Sequence, residues 1–77
     1  MKAVVWSKEN CSQCLQAKNM LTLRGISIEE RKIDSGPWTK DDLLRVVPDA
    51  RSVPQIFLDE EYIGGFKELK DRLQNVD

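Results

Sequence analysis

Two cysteines three positions apart, Cys11-Ser12-Gln13-Cys14, stand between a continuous apolar run, Ala3-Val4-Val5-Trp6, and a segment of helical periodicity that stops at Gly25. That placement puts two thiols where a buried strand ends and a helix begins. Unbonded backbone amides and the positive end of the helix favour a thiolate there. A disulfide across this spacing closes only a tiny loop and restricts the unfolded chain little, so it is a poor structural staple. Reactivity explains the pair better, and whatever fold the chain takes must deliver a strand into a helix at Cys11.

At 77 residues the chain has length for one domain, spanning 1–77, close to the lower limit at which a single core suffices without staples or metal. With 40% hydrophobic and 32% charged residues it reads as a folded soluble domain rather than a disordered one. The 12 basic and 13 acidic residues are interspersed and leave a net charge of −1, so no single-sign field exists to hold nucleic acid or an anionic membrane. No stretch approaches the roughly 20 apolar residues that span a bilayer, and the first apolar run is far too short for a secretory leader. A cytoplasmic protein is expected. The chain has no histidine, which removes a Cys-His catalytic pair and the common Cys/His zinc sets from consideration within one chain. The two cysteines could be half of a zinc site only if carboxylates or a second subunit supplied the rest, and no metal is expected.

Ala3–Trp6 reads as a central strand covered on both faces. From Ser12 to Arg24, Cys14, Ala17, Met20 and Leu21 recur at helical spacing, and Gly25 suits the left-handed residue that closes a helix. Residues 26–33 mix β-branched side chains with Glu29-Glu30-Arg31-Lys32, which suits an edge strand. Asp34-Ser35-Gly36-Pro37 is a turn, Thr39 caps a second helix in a weak capping box with Asp42, Leu43, Val46 and Val47 form its apolar face, and Pro48 ends it. Gln55–Leu58 and Tyr62–Ile63 read as an antiparallel hairpin around Asp59-Glu60-Glu61. Phe66, Leu69, Leu73 and Val76 then form the packing stripe of a last helix. The order is βαβαββα, an α/β domain with a four-stranded mixed sheet, three flanking helices and a right-handed first crossover. Trp6 belongs to the core and Trp38 covers the adjacent helix.

Three separated segments, Ser7 to Cys14, Ser52-Val53-Pro54-Gln55-Ile56-Phe57 and Tyr62-Ile63-Gly64-Gly65-Phe66, resemble in order and spacing the active-site, Thr-Val-Pro and Gly-Gly motifs of glutaredoxins. The resemblance runs through nearly the whole chain. It implies the thioredoxin-like fold and an enzyme that uses glutathione to reduce protein disulfides and glutathione mixed disulfides. Small members of the family also supply electrons to ribonucleotide reductase. The chain is expected to work as a monomer.

By the same resemblance Cys11 looks like the attacking thiolate and Cys14 the resolving thiol. The physical reading agrees, since Cys11 precedes the helix and Cys14 lies a turn inside on its apolar face, so their exposures should differ. Lys8 either stabilises the thiolate, holds a glutathione carboxylate, or is a solvated loop lysine. The resemblance implies a cis Val53–Pro54 bond against Cys11, with the Val53 backbone pairing to the cysteinyl part of glutathione like an added strand. Gln13 and Ser52 would line the same ligand. Arg51 either clamps the glycine carboxylate or makes a surface ion pair. Gly65 permits close approach, and the amides of Phe66 and Lys67 begin a helix that can take the γ-glutamyl carboxylate. Many glutaredoxins have Asp where Lys67 stands, so the acidic contact to the ligand's amino group comes from Glu68 or is missing.

Ser12 and Gln13 replace the commoner Pro and Tyr between the cysteines. Gln before the second cysteine resembles NrdH-type redoxins, which take electrons from thioredoxin reductase, and this is the alternative reading. A third is a carrier of an iron-sulfur cluster bridged by two Cys11 thiolates and glutathione. The Ser-Val-Pro-Gln and Ile-Gly-Gly-Phe segments favour glutathione.

Overall fold

In the computed structural model, which describes residues 1–74, the elements follow the expected order: β1 (Lys2–Ser7), α1 (Ser12–Leu23), β2 (Ser27–Lys32), α2 (Lys40–Val46), β3 (Gln55–Leu58), β4 (Glu61–Gly64) and α3 (Phe66–Gln74). The strands form one sheet in the order β2-β1-β3-β4. β1 pairs in parallel with β2 and antiparallel with β3, which pairs antiparallel with β4. The apolar run is therefore interior and the charged strand lies at an edge, as their compositions require. Val76, assigned to the last apolar stripe, lies outside the described residues.

Alternation along β1 divides its side chains between two cores. Ala3 and Val5 face α1 and α3 and pack with Ala17, Leu21, Ile56, Leu58, Leu69 and Leu73. Trp6 points to the other face and meets Leu43 and Val47, with Val4, Val53 and Phe57 alongside. Leu21, Ile56 and Leu69 are fully buried, and truncating any one to Ala would cost about 2–5 kcal/mol.

α1 ends in a reciprocal pair of bonds: the Gly25 amide donates to the Thr22 carbonyl (3.0 Å) and the Ile26 amide to that of Leu21 (3.0 Å). Gly25 sits at φ 72°, the left-handed conformation this closure needs. The chain therefore turns back sharply into β2. Thr39 and Asp42 form a complete capping box, with Asp42 N donating to Thr39 Oγ1 (3.2 Å) and Thr39 N to Asp42 Oδ2 (2.9 Å).

Three details differ from the sequence expectation. Val46 does not belong to the apolar face of α2: it is 49% exposed. Leu43 and Val47 are one turn apart and take that face, and a helix of seven residues covers only part of the sheet. The hairpin turn is two residues, Asp59 and Glu60, with φ 48° and 71°, so Glu61 already belongs to β4. Left-handed residues at both positions match the twist of the strands they join. Trp38 packs on β1 as well as beside α2, edge-on to Trp6 with centroids 5.4 Å apart. The Arg31 guanidinium lies over both rings, 5.2 Å from Trp6 and 4.3 Å from Trp38.

Candidate active site

β1 delivers the chain past Ser7 into a three-residue loop, and Asn10 turns it with φ 55°. Cys11 is the N-cap of α1, in extended conformation, and its carbonyl accepts the first helical bond from the Leu15 amide (3.1 Å). Its sulfur accepts from the Cys14 amide at 3.2 Å. Of the first-turn amides expected to face the sulfur, Cys14's is the one that reaches it. A thiolate formed at Cys11 on reduction would lie in the field of this amide and of the helix start.

Cys11 and Cys14 are joined by a disulfide, with Cα atoms 5.2 Å apart. Cys11 is half-buried, whereas Cys14 is 2% exposed and packs on the apolar side of α1. The two sulfurs therefore differ in accessibility, as expected. An incoming thiolate or disulfide reaches Cys11 first.

The peptide bond between Val53 and Pro54 is cis, as the resemblance implied. The Val53 carbonyl oxygen lies 3.9 Å from Cys11 Sγ, a contact rather than a hydrogen bond, because a disulfide sulfur carries no proton. Forty-two residues apart in sequence, the loop and the cysteine thus share one surface. Gly65 approaches the same loop from the other side. A Cβ placed on Gly65 would stand 3.3 Å from the Pro54 carbonyl oxygen, so the space beside the loop exists only because no side chain fills it.

Lys8 is exposed and lines two concavities that flank Cys11. One, of about 440 Å³, lies between α1 and β2 and also includes Cys11, Cys14, Lys18 and Glu30. The other, of about 170 Å³, includes Lys40, Arg51, Ser52 and Val53. Lys8 and Arg51 therefore meet at one concavity, and among the described residues neither is in an ion pair. A larger hollow of about 560 Å³, lined by Lys2, Val4, Arg31, Val46 and Phe57, lies on the sheet face at the Asp59-Glu60 end, remote from the cysteines. Of the three, the hollow of about 440 Å³ is the one whose wall holds both sulfurs together with cationic side chains, and it shares Lys8 with the hollow that holds Arg51 and Ser52.

The remaining candidate residues divide by role. Gln13 and Lys67 are exposed on the first turns of α1 and α3. The Phe66 side chain packs against the first core. Glu68 folds back over the start of α3, where its Oε1 accepts from the Gly65 amide at 2.8 Å. That carboxylate is therefore next to the Gly-Gly segment, where an acidic partner would be needed. No group of three or more Cys, Asp or Glu among the described residues is placed to hold a metal ion.

Two clusters supporting the site were not foreseen. The Glu9 amide donates to both oxygens of Asp34 (3.1 and 3.2 Å), while the Glu9 carboxylate accepts from Lys32 Nζ (2.8 Å) and Ser35 Oγ (3.0 Å). These bonds lower the Glu9 pKa and raise that of Lys32. They tie the active-site loop to the end of β2. Beneath them, Glu30 Oε2 accepts from Ser7 Oγ and Lys18 Nζ, each at 2.7 Å. Burial opposes the charge on Glu30, but those two donors outweigh it and its pKa is lowered. The only trace of this in the sequence is the order Glu29-Glu30-Arg31-Lys32. Alternation along a strand places one acid and one base on each face of β2, and Glu29 and Arg31 pair across one face at 2.6 Å.

The sequence matches the family model described as Glutaredoxin over residues 3–63. It is 34% identical to glutaredoxin 3 of Escherichia coli K12 over 65 residues, covering 84% of this chain and 77% of that protein. The fold superposes on the crystal structure of glutaredoxin 1 from Francisella tularensis complexed with cacodylate, with a TM-score of 0.77, 29% identity, and coverage of 97% of this chain and 98% of that one. Wheat glutaredoxin gives a TM-score of 0.82 at 26% identity, covering 95% of this chain and 71% of its own.

Proposed function

The chain belongs to the glutaredoxin family, with a redox-active disulfide on a thioredoxin-like fold, and from that premise we propose that this thiol-disulfide oxidoreductase is glutathione-dependent and uses Cys11 as nucleophile and Cys14 as resolving thiol. The observation that carries the reading is that Cys11 sits at the helix start with the Val53 carbonyl 3.9 Å from its sulfur, while Gly65 leaves unfilled space beside the same Val53–Pro54 loop.

With a glutathione mixed disulfide, the Cys11 thiolate attacks the glutathione sulfur, the bond to the target breaks, and the target leaves as a thiolate that takes a proton from water. A second glutathione thiolate then attacks the glutathione sulfur bound to Cys11. Glutathione disulfide leaves and the Cys11 thiolate is restored. With a protein disulfide, Cys11 forms a mixed disulfide with one target cysteine, and Cys14, deprotonated, attacks the Cys11 sulfur. The target departs as a dithiol, and the Cys11–Cys14 disulfide is returned to the dithiol by two glutathiones, which are oxidised to glutathione disulfide.

In this reading the ligand's cysteinyl backbone pairs with Val53. Lys8 and Arg51 offer charge to the glycine carboxylate from the concavity they share with Ser52. The Phe66 and Lys67 amides take the γ-glutamyl carboxylate at the start of α3, and Glu68 lies nearby for the amino group. Ribonucleotide reductase, the small family members' protein substrate, is a candidate target. No helix among the described residues is long and apolar enough to cross a membrane, and a single cytoplasmic domain acting as a monomer is the setting proposed.

A second reading, reduction by thioredoxin reductase as in NrdH-type redoxins, is favoured by one observation: exposed Gln13 stands where an aromatic wall is commoner. Two assays test the first. Reduction of the oxidised protein is followed with glutathione plus glutathione reductase, and separately with thioredoxin reductase. Cys11→Ser and Cys14→Ser are then compared on a glutathionylated peptide and on a protein disulfide. Glutathione should be the effective reductant, Cys11→Ser should abolish both reactions, and Cys14→Ser should keep part of the first while losing the second. Reduction by thioredoxin reductase alone, or equal loss of both reactions in Cys14→Ser, would refute the proposal.

A further inference from the structure

The loop from Ala50 to Pro54 must present the Val53 backbone to whatever is bound at Cys11, yet it lies between α2 and β3 with no regular structure of its own. Pro54 is buried, and Ala50 and Val53 pack against the second core. Such packing places a loop but does not fix the direction of a peptide plane. Apart from the Cys11 contact, one side-chain hydrogen bond among the described residues reaches this loop, from Gln55 Nε2 to the Ser52 carbonyl at 2.8 Å.

Gln55 is 8% exposed and is the first residue of β3. Because a carbonyl can only accept, the Ser52 bond fixes which end of the Gln55 amide faces the loop. The oxygen then points the other way, and the Tyr62 hydroxyl donates to it at 2.6 Å. Tyr62 belongs to β4, and its ring is tilted against Phe57 with centroids 5.2 Å apart. Both polar ends of a buried amide are thus satisfied, and a two-bond relay runs from β4 through β3 to the residue preceding Val53. Although the Tyr62 side chain is partly exposed, desolvation on its protein-facing side, then the charges of Glu68 and Asp49, raise its pKa, so the hydroxyl keeps its proton, and remains a donor, throughout neutral pH.

We infer that Tyr62 and Gln55 are positioning residues that orient the Val53 backbone for pairing with a ligand at Cys11. Neither side chain touches the sulfur. They act by holding the Ser52 carbonyl, which fixes the peptide plane next to the pairing edge. The inference rests on the glutathione reading, in which Val53 carries a ligand contact. Tyr62→Phe keeps the ring on Phe57 and removes only the donor. The Gln55 oxygen then lacks its partner and the amide is free to turn away from Ser52, so the ligand must order the edge that the relay had already ordered.

The test uses glutathione as the probe. In the Cys14→Ser background, glutathione is linked to Cys11 and the backbone amide shifts are mapped with Tyr62 and with Tyr62→Phe. In the protein with both cysteines, turnover of a glutathionylated peptide is measured for Tyr62→Phe and for Gln55→Met, which removes both bonds. With Tyr62 the Val53 amide should shift on glutathionylation. In Tyr62→Phe that shift should shrink, Val53 amide exchange should quicken, and KM should rise about fivefold, the worth of one net hydrogen bond, with kcat little changed. A merely structural tyrosine would lower the melting temperature and leave KM untouched well below it. A Val53 shift present with Tyr62 and unaltered by Tyr62→Phe, at unchanged KM, would overturn the inference and leave the glutathione site standing. No Val53 shift even with Tyr62 would remove the glutathione site and the inference together. Should Gln55→Met not fold, Tyr62→Phe alone decides.

Discussion

The two adjacent glycines separate stability from ligand access, and substituting them one at a time should show it. Gly64 has φ 113°, a region that side chains rarely adopt, and a Cβ there would meet Glu68 Cγ at 2.7 Å and Glu68 Cβ at 2.9 Å. Those atoms are near the α3 backbone and cannot swing aside, so the helix start itself must move. Backbone strain of about 1–3 kcal/mol and overpacking of about 1–3 kcal/mol predict that Gly64→Ala loses about 2–6 kcal/mol. Gly65 does not have a positive φ. Its added Cβ would be 3.3 Å from the Pro54 carbonyl oxygen and 3.5 Å from Glu68 Oε1, a tight contact largely offset by the roughly 0.4–1 kcal/mol that Gly→Ala takes from the unfolded chain's entropy. Gly65→Ala should therefore stay within about 1 kcal/mol of the parent. At about 4–8 °C per kcal/mol for a domain of this size, thermal unfolding separates the two variants easily. The functional order is the reverse among folded proteins. Gly65→Val, whose methyl groups project further beside Pro54, should raise KM for a glutathionylated peptide at least about tenfold, the kinetic equivalent of 1.4 kcal/mol of lost binding. Equal destabilisation by the two alanines, or a Gly65→Val protein that is folded and binds the peptide as before, would refute this reading of the Gly-Gly segment.

Three further outcomes are expected. Because the folded-state pKa of Glu30 is lowered, its stabilising contribution is present above the ordinary carboxylate value near 4.5 and is lost as pH falls through the lower folded value; the advantage of the parent over Glu30→Gln, read from urea midpoints, should shrink steadily below that pH, and a difference that grows on acidification would contradict the assignment. Thr39→Ala removes the side-chain acceptor of the α2 capping box and should cost about 1 kcal/mol, seen as a lower melting temperature with turnover per folded molecule unchanged. Lys67 is exposed at the start of α3, so Lys67→Ala should change KM for the glutathionylated peptide by only about twofold, the scale of an exposed charge, while Lys67→Asp should lower KM; a higher KM for the Asp variant would remove the idea that an acid is missing there.

The amino-acid sequence alone determined the parts of this protein that depend on short-range patterns. A four-residue apolar run bounded by polar residues dictates a buried strand. The apolar spacing from Cys14 to Leu21 dictates a helix whose start coincides with Cys11, and Gly25 dictates where it closes. The position and unequal exposure of the two sulfurs follow from those local facts, because a helix start and its first buried turn are fixed by neighbours in sequence. Only the tertiary structure decided what depends on alternation, crossing and distance. The span of a seven-residue helix over the sheet left Val46 outside the core, although Val46 is as apolar as Val47. Pairing of β1 with β2 brought Glu30 within 2.7 Å of Ser7, and packing of α1 brought Lys18 to the same carboxylate. The hairpin set Tyr62 against Gln55, and the loop it holds against a cysteine 42 residues away from Val53. Hydrogen bonds of that range have no local signature in the chain, since each side chain involved is compatible with solvent until the fold removes the alternative.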